Sequence, residues 1–187
     1  MVDINTRPMP LAEFEALLDR GDERRLELWP DGKVHAKPAV SMPHGLIQGG
    51  LVALLEGPDR ARGRAATELN AAWGERRSYR PDVAFYARER LAELRTPDGH
   101  EWIRHPRRPP DLAIEIRSPD EPVGDQLARC SWYVQHGVRL AWLVDFEQRV
   151  VYVLRAEVPG VSVHRADDLT AIGPDLRAAD VFALLES

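Results

Sequence analysis

The stretch Pro110-Asp111-Leu112-Ala113-Ile114-Glu115-Ile116-Arg117-Ser118-Pro119 sets one carboxylate in the middle of an apolar run and ends on a proline stop. Side chains of an extended strand alternate between faces, so Leu112, Ile114 and Ile116 line one side while Ala113, Glu115 and Arg117 line the other. A carboxylate in such a strand needs partners, because burying it alone is costly. The partner is either a metal ion or a salt bridge with Arg117 or another arginine. A second fragment, Arg80-Pro81-Asp82-Val83-Ala84-Phe85-Tyr86, has the same form, with Asp82 just after a proline at the mouth of a short apolar strand. Read alone, Asp82 is equally a turn or strand-edge residue. Two carboxylates on neighbouring strands with a cation nearby are what a divalent metal site needs.

The 187 residues, 44% of them hydrophobic, suit a single domain over 1–187 with a proper core. No apolar run is long enough to cross a bilayer, and Met1-Val2-Asp3-Ile4-Asn5 lacks the charged and apolar regions of a secretion signal, so a cytoplasmic protein with no membrane partner is expected. The single cysteine, Cys130, excludes an internal disulfide framework and a cysteine-based zinc site. It reads as a partly buried small residue on a helix. Lys33 and Lys37 are the only lysines among 25 basic residues. A net charge of -5 argues against nonspecific coating of DNA but leaves room for a local basic cleft.

Residues 10–19 carry apolar side chains at helical spacing before Gly21. Leu26-Glu27-Leu28-Trp29-Pro30-Asp31-Gly32-Lys33-Val34-His35-Ala36 predicts a hairpin about an Asp-Gly turn. Glu27 points away from Leu26 and Leu28 there, as a solvated residue or a site residue. The run 43–55 predicts a helix with His44 in its first turn, a position for a surface or capping residue as readily as for a ligand. Residues 65–79 suggest an irregular strand and loop. Residues 88–109 form a polar loop bearing one short helix at 87–95, with a basic cluster at Arg104, Arg107 and Arg108 that reads as solvated. Residues 124–136 have helical periodicity closed by Gly137. Leu140-Ala141-Trp142-Leu143-Val144-Asp145 is a near-continuous apolar strand, buried on both sides. This strand-helix-strand unit predicts a parallel, right-handed crossover. A hairpin strand at 149–155, an edge strand at 161–164 and a closing helix at 178–185 complete the chain.

Taken together, these fragments resemble the Uma-two family, a bacterial branch of the restriction-endonuclease-like PD-(D/E)XK superfamily. The matching features are the Leu-Glu-Leu and Asp-Gly hairpin, His44 opening a helix, Arg80-Pro81-Asp82-Val83, the stretch 110–119, Tyr133 with Gly137-Val138, and Trp142-Leu143-Val144-Asp145. The resemblance implies an α/β (α+β) fold, with a mixed central β-sheet flanked by helices. It implies Asp82 and Glu115 as the acidic pair holding Mg²⁺ or Mn²⁺, with Glu27 and His44 near the metal. It also implies a lysine beside the metal, either two residues after the glutamate or on the following helix. This chain has Arg117 at the first position and Arg129 at the second.

Arginine stays charged and cannot act as a base, though it can stabilise a pentacoordinate phosphate. The resemblance therefore implies a metal-dependent DNA endonuclease in which Arg117 or Arg129 neutralises developing charge. The alternative is a nuclease-fold protein without turnover, acting as a nucleic-acid-binding or assembly module. A homodimer is the accompanying expectation, with exposed Trp132 or Tyr133 at its contact so that two sites face two strands.

Overall fold

The structure is a computed structural model that describes residues 2–3, 7–20, 25–29, 31–37, 39–70 and 77–186. Among the described residues, six strands form one mixed sheet in the order β4-β5-β6-β7-β8-β9. These are β4 (Gly63–Thr67), β5 (Val83–Ala87), β6 (Leu112–Ile116), β7 (Leu140–Asp145), β8 (Val150–Arg155) and β9 (Val158–Arg165). Neighbours run antiparallel except β6 and β7, which are parallel because helix α3 (Val123–Gln135) carries the chain back between them. The edge strand expected at 161–164 is β9, extended to eight residues at the end of the sheet.

The alternation read in 110–119 sorts the two faces of this sheet. Leu112, Ile114 and Ile116, with Trp142, Val144, Val151 and Val153, pack against helix α2 (Met42–Glu56) through Ile47, Leu51 and Leu55. Helix α4 (Ala178–Phe182) closes the same face with Val181 and Phe182. On the opposite face Ala113, Ala141 and Leu143 lie under Cys130, Trp132 and Tyr133 of α3. Cys130 is fully buried, its Sγ 3.5 Å from the Trp142 carbonyl.

Trp132 and Tyr133 are 6% and 0% exposed, which corrects the expectation that they offer a dimer contact. They are consumed by the core: Tyr79 meets Trp132 edge to face at 4.6 Å, and Tyr133 lies over the sheet beside Glu115.

A smaller sheet of order β1-β3-β2 holds β1 (Val2–Asp3), β2 (Leu26–Leu28) and β3 (Val34–Ala36). The predicted hairpin pairs Leu26 with Ala36 and Leu28 with Val34. Pro30 of its turn lies outside the described residues. Gly32 has φ +78°, and a Cβ there would fall 2.7 Å from Pro8, so both conformation and space demand glycine. Helix α1 (Leu11–Asp19) covers this sheet by burying Phe14 against Leu26, Leu28 and Val34.

The hairpin also docks onto the main sheet. Leu28 and Ser78 exchange backbone hydrogen bonds of 2.9 and 3.1 Å, anchoring the segment that leads into Asp82. The short helix expected at 87–95 is a 3₁₀ helix over Arg88–Leu94. The basic cluster is ion-paired as well as solvated: Arg104 to Asp19, Arg107 to Glu15, Arg108 to Glu93. Among the described residues no helix is long and apolar enough to cross a membrane.

Candidate functional site

The register of β5 and β6 brings the two carboxylates together. Val83 stands opposite Ile114, so the antiparallel pairing sets Asp82, one residue earlier, against Glu115, one residue later. Asp82 Oδ2 accepts a 2.7 Å hydrogen bond from the Ile116 N–H, which locks its carboxylate over the end of β6. Both side chains are buried, and both line a cleft of about 240 Å³ shared with Lys37, His44, Gln126 and Arg129.

Lys37, one residue beyond β3, enters this pair from the hairpin. Its Nζ donates to Asp82 Oδ1 at 2.8 Å and to the Arg80 carbonyl at 2.7 Å, and lies 3.8 Å from Glu115 Oε2. Lys37 is far from both carboxylates in sequence, yet the fold puts it between them. The separation in sequence is closed by the docking of Leu28 on Ser78 and by Glu27, whose Oε1 accepts from the Arg80 N–H at 2.9 Å.

Glu27 is fully buried rather than solvated, and its second oxygen accepts from the Trp29 indole at 3.2 Å. With both oxygens so engaged it braces the Arg80-Pro81-Asp82 segment from below. His44 is 8% exposed, and its Nε2 lies 3.5 Å from Asp82 Oδ1. Its position is set by the helix start, where the Ser41 hydroxyl accepts from the His44 N–H at 3.4 Å.

The two arginines divide. Arg129, on α3, donates to Glu115 Oε2 at 3.1 Å and to Glu121 Oε1 at 2.7 Å. Arg117, expected on the face of Glu115, lies past the last residue of β6 and is held by Glu147 at 2.7 Å and Asp145 at 3.3 Å. Asp145 ends β7 and Glu147 lies in the turn to β8, and Arg117, so held, still lines the cleft of Asp82 and Glu115. Tyr133 completes the surroundings by donating its hydroxyl to Glu115 Oε1.

This packing splits the acidities of the pair. Burial works against the charge on Asp82, yet Lys37 and His44 outweigh it and hold the carboxyl well below the usual carboxylate range. Burial pushes Glu115 up to about 7, with Lys37 and Arg129 opposing the rise and the Asp82 charge adding to it. Lys37 is itself penalised by burial, but the carboxylates around it raise its affinity for the proton further.

Residues 11–180 match the model of the Uma2 family, described as "Putative restriction endonuclease". The chain belongs to the Uma2 family. Among solved structures, this Uma2 chain is similar to a "putative nuclease belonging to DUF820" from Anabaena variabilis, with a TM-score of 0.81 and 28% identity over 95% of this chain and 99% of that one. No curated protein matches it.

Within this Uma2 chain, sequence reasoning missed Lys37, Gln126 and Gln48. Gln48 donates to the Asp82 carbonyl at 2.8 Å. Gln126 ties down the loop after Glu115, accepting from the Ser118 N–H and donating to the Ser118 and Glu121 carbonyls at 2.9–3.1 Å. Only Lys37 left a signal, as one of two lysines in a chain of arginines.

The donor set is one that suits a hard divalent cation. Asp82 and Glu115 offer carboxylate oxygens from two rigid strands and already converge on one positive group, the Lys37 ammonium. Among the described residues no group of three or more His, Cys, Asp or Glu side chains is arranged to hold a metal. Two carboxylates with water and substrate oxygens are the usual Mg²⁺ complement, so the pair fits that ion.

Proposed function

We propose that this protein is a metal-dependent endonuclease that hydrolyses phosphodiester bonds in DNA, with Asp82 and Glu115 holding Mg²⁺ or Mn²⁺ and Lys37 as the cation beside the reacting phosphate. The single observation that carries the reading is the approach of Lys37 Nζ to both carboxylates, at 2.8 and 3.8 Å. Membership in a family described as restriction endonucleases, and likeness to a protein titled a nuclease, support DNA as the substrate class.

The bound ion would supply a Lewis acid and a water of lowered pKa. The other tasks fall to the protein. Lys37 keeps its proton, because the carboxylates that raise its pKa surround it, so it serves as a hydrogen-bond donor and positive charge toward a phosphate oxygen rather than as a base. Arg129 neutralises Glu121 and one oxygen of Glu115, which leaves a cleft able to admit an anion. Tyr133 and the Ile116 N–H fix the orientation of the two carboxylates. Arg117 lines the same cleft and is held there by Asp145 and Glu147.

The test is cleavage of supercoiled plasmid and of single-stranded DNA with Mg²⁺ or Mn²⁺. Activity is expected in the wild-type chain, in neither Asp82→Ala nor Glu115→Ala, and at a level reduced at least a hundredfold in Lys37→Met, about the size of removing one preorganised charge. Full activity in Asp82→Ala overturns the reading, and DNA binding without cleavage in the wild type replaces it with the binding module.

A further inference from the structure

Three side chains around the last strand of the main sheet form a relay that the cleft of Asp82 and Glu115 does not use. His164 is buried on β9, and its two ring nitrogens meet two different groups. Nδ1 lies 2.9 Å from Asp168 Oδ2, and Nε2 lies 3.1 Å from the Ser162 hydroxyl. The Thr170 N–H and hydroxyl, then His164, hold the Asp168 carboxyl below its ordinary value, so it is ionised at neutral pH. A carboxylate only accepts hydrogen bonds, so Nδ1 carries the proton and the lone pair of the neutral ring is left at Nε2, toward the hydroxyl. The hydroxyl has a second acceptor in the Val153 carbonyl, at the longer distance of 3.3 Å.

The local chain builds this arrangement. Ser162 and His164 are two apart on one strand and so share a face. Past the end of β9 the Asp168 N–H donates to the Arg165 carbonyl at 3.0 Å, and Asp168 Oδ1 accepts from the Thr170 N–H at 2.8 Å, which fixes the carboxylate against the ring. Ahead of Ser162 the strand bulges: Val158 pairs with Arg155 and Val161 with Leu154, so Pro159 and Gly160 have no residue opposite them. Gly160 has φ +99°, and a Cβ there would meet nothing within 4 Å, so its conformation and not its surroundings asks for glycine. Beside the bulge lies a cavity of about 410 Å³ lined by Ser162 and His164, with apolar walls at Val153 and Val158 and a positive charge at Arg155. It shares no residue with the cleft of Asp82 and Glu115. A histidine that only fastened the turn to the strand would need Asp168 alone; here its other nitrogen meets a hydroxyl on an exposed residue at the wall of a cavity.

We propose that, independently of the nuclease reading, Ser162, His164 and Asp168 form a second hydrolytic site that cleaves small carboxylic esters, with Ser162 as the nucleophile and His164 as its base. Ser162 Oγ bonds to the ester carbonyl carbon while its proton passes to His164 Nε2. The alcohol leaves with that proton as its bond to carbon breaks, and Ser162 keeps the acyl group. Water then gives a proton to His164 and its hydroxide to the acyl carbon, and Ser162 takes the proton back as the acid departs. Asp168 is a positioning residue that holds the ring in the tautomer this needs. Arg155 is the positive group of the cavity for the charge that the carbonyl oxygen gains.

The test is hydrolysis of p-nitrophenyl acetate by the full chain without divalent ions, together with labelling by a fluorophosphonate located by peptide mass spectrometry. Hydrolysis and one adduct, on Ser162, are expected for the wild type. Ser162→Ala, a surface change expected to leave circular dichroism as it is, loses the adduct and lowers the rate by about a hundredfold or more. Asp168→Asn is expected to slow hydrolysis and to move the midpoint of the pH–rate profile to lower pH, because the carboxylate that stabilises the imidazolium is gone. A residue that only held the turn would leave that midpoint in place. A wild-type chain that neither hydrolyses the ester nor takes up the label, an adduct elsewhere than on Ser162, a rate that survives Ser162→Ala, or an unmoved midpoint in Asp168→Asn overturns the proposal.

Discussion

Lys37 and Asp82 stand 45 residues apart in the chain and 2.8 Å apart at Nζ and Oδ1. The pair is buried, and Glu115 adds a second negative charge within 3.8 Å of the same ammonium. Removing the ammonium leaves two buried carboxylates facing each other, with His44 beside Asp82 and Arg129 beside Glu115 to offset them. Lys37→Met is therefore expected to lower stability by about 3 kcal/mol at neutral pH without divalent ions, the size expected when one partner of a buried pair is lost. Urea unfolding measures this. Added Mn²⁺ is expected to restore stability more strongly in Lys37→Met than in the wild type, since it replaces the missing charge. A variant that unfolds like the wild type under both conditions contradicts this placement of Lys37.

The acidity of Glu115 sets a pH dependence in the metal-free protein. Its folded pKa of about 7 lies above the ordinary 4.5, so the folded state binds the proton more tightly than the unfolded chain does. The associated stability is fully present below pH 4.5 and is lost as pH rises to about 7, a change of roughly 3 kcal/mol. Asp82 acts in the opposite sense: its folded pKa is depressed, so its contribution is present above its ordinary 3.8 and disappears as pH falls further. Stability is expected to peak in mildly acidic solution. Glu115→Gln, which keeps the shape without the charge, is expected to flatten the decline between pH 4.5 and 7. Denaturation at a series of pH values decides it, and an equal decline in Glu115→Gln rules out Glu115 as the source.

The parts of this fold that follow from local alternation and turn chemistry were legible in the sequence. The faces of β6 follow from period-two spacing, the hairpin from Asp31-Gly32, and the parallel β6–β7 pair from the helix between two apolar strands. The acidic pair was legible because each carboxylate interrupts an apolar strand and the register joins them. Lys37 was not legible, because its place depends on how one small sheet docks on another, and no periodicity encodes that. Arg117 follows the same alternation: it stands beside Asp145 on the Glu115 face and lines the same cleft, where Asp145 and Glu147 hold its guanidinium. Glu27 and His44 read from spacing alone as either surface or site residues, because the burial of Glu27 comes from the docking at Arg80 and that of His44 from the seating of α2 beside Asp82.

The two arginines give opposite predictions. Arg117 sits just past the end of the interior strand β6, paired with buried Asp145 and with Glu147, 47% exposed, and Arg117→Ala is expected to change stability by about 1 kcal/mol and leave DNA cleavage within a few-fold of wild type. Arg129 is buried, with Glu115 and Glu121 both depending on it. Arg129→Ala is expected to cost about 3 kcal/mol or more and to abolish cleavage, while Arg129→Lys, which keeps a charge but not the fork, restores part of the stability. Melting curves and plasmid cleavage on the same samples separate the cases. Loss of cleavage in Arg117→Ala with normal folding gives Arg117 a part in the reaction.

Gln126 offers a test of how the cleft keeps its shape. Its amide satisfies one N–H and two carbonyls of the loop 118–121, and the residue is 2% exposed, so Gln126→Ala takes this partner from the Ser118 N–H and the Glu121 carbonyl, while the Ser118 carbonyl keeps the Glu121 N–H at 3.2 Å. A loss of about 2 kcal/mol is expected, the cost of stranding buried polar groups. The more specific consequence is local. Glu121 sits in that loop and pairs with Arg129 at 2.7 Å, so loosening the loop frees one hand of the arginine that also holds Glu115. Hydrogen exchange is therefore expected to quicken across 118–121 while the strands of the sheet keep their protection. If exchange quickens equally in β6 and β7, Gln126 supports the whole sheet and not the loop; if it does not change, Ser118 and Glu121 are held by something other than this amide.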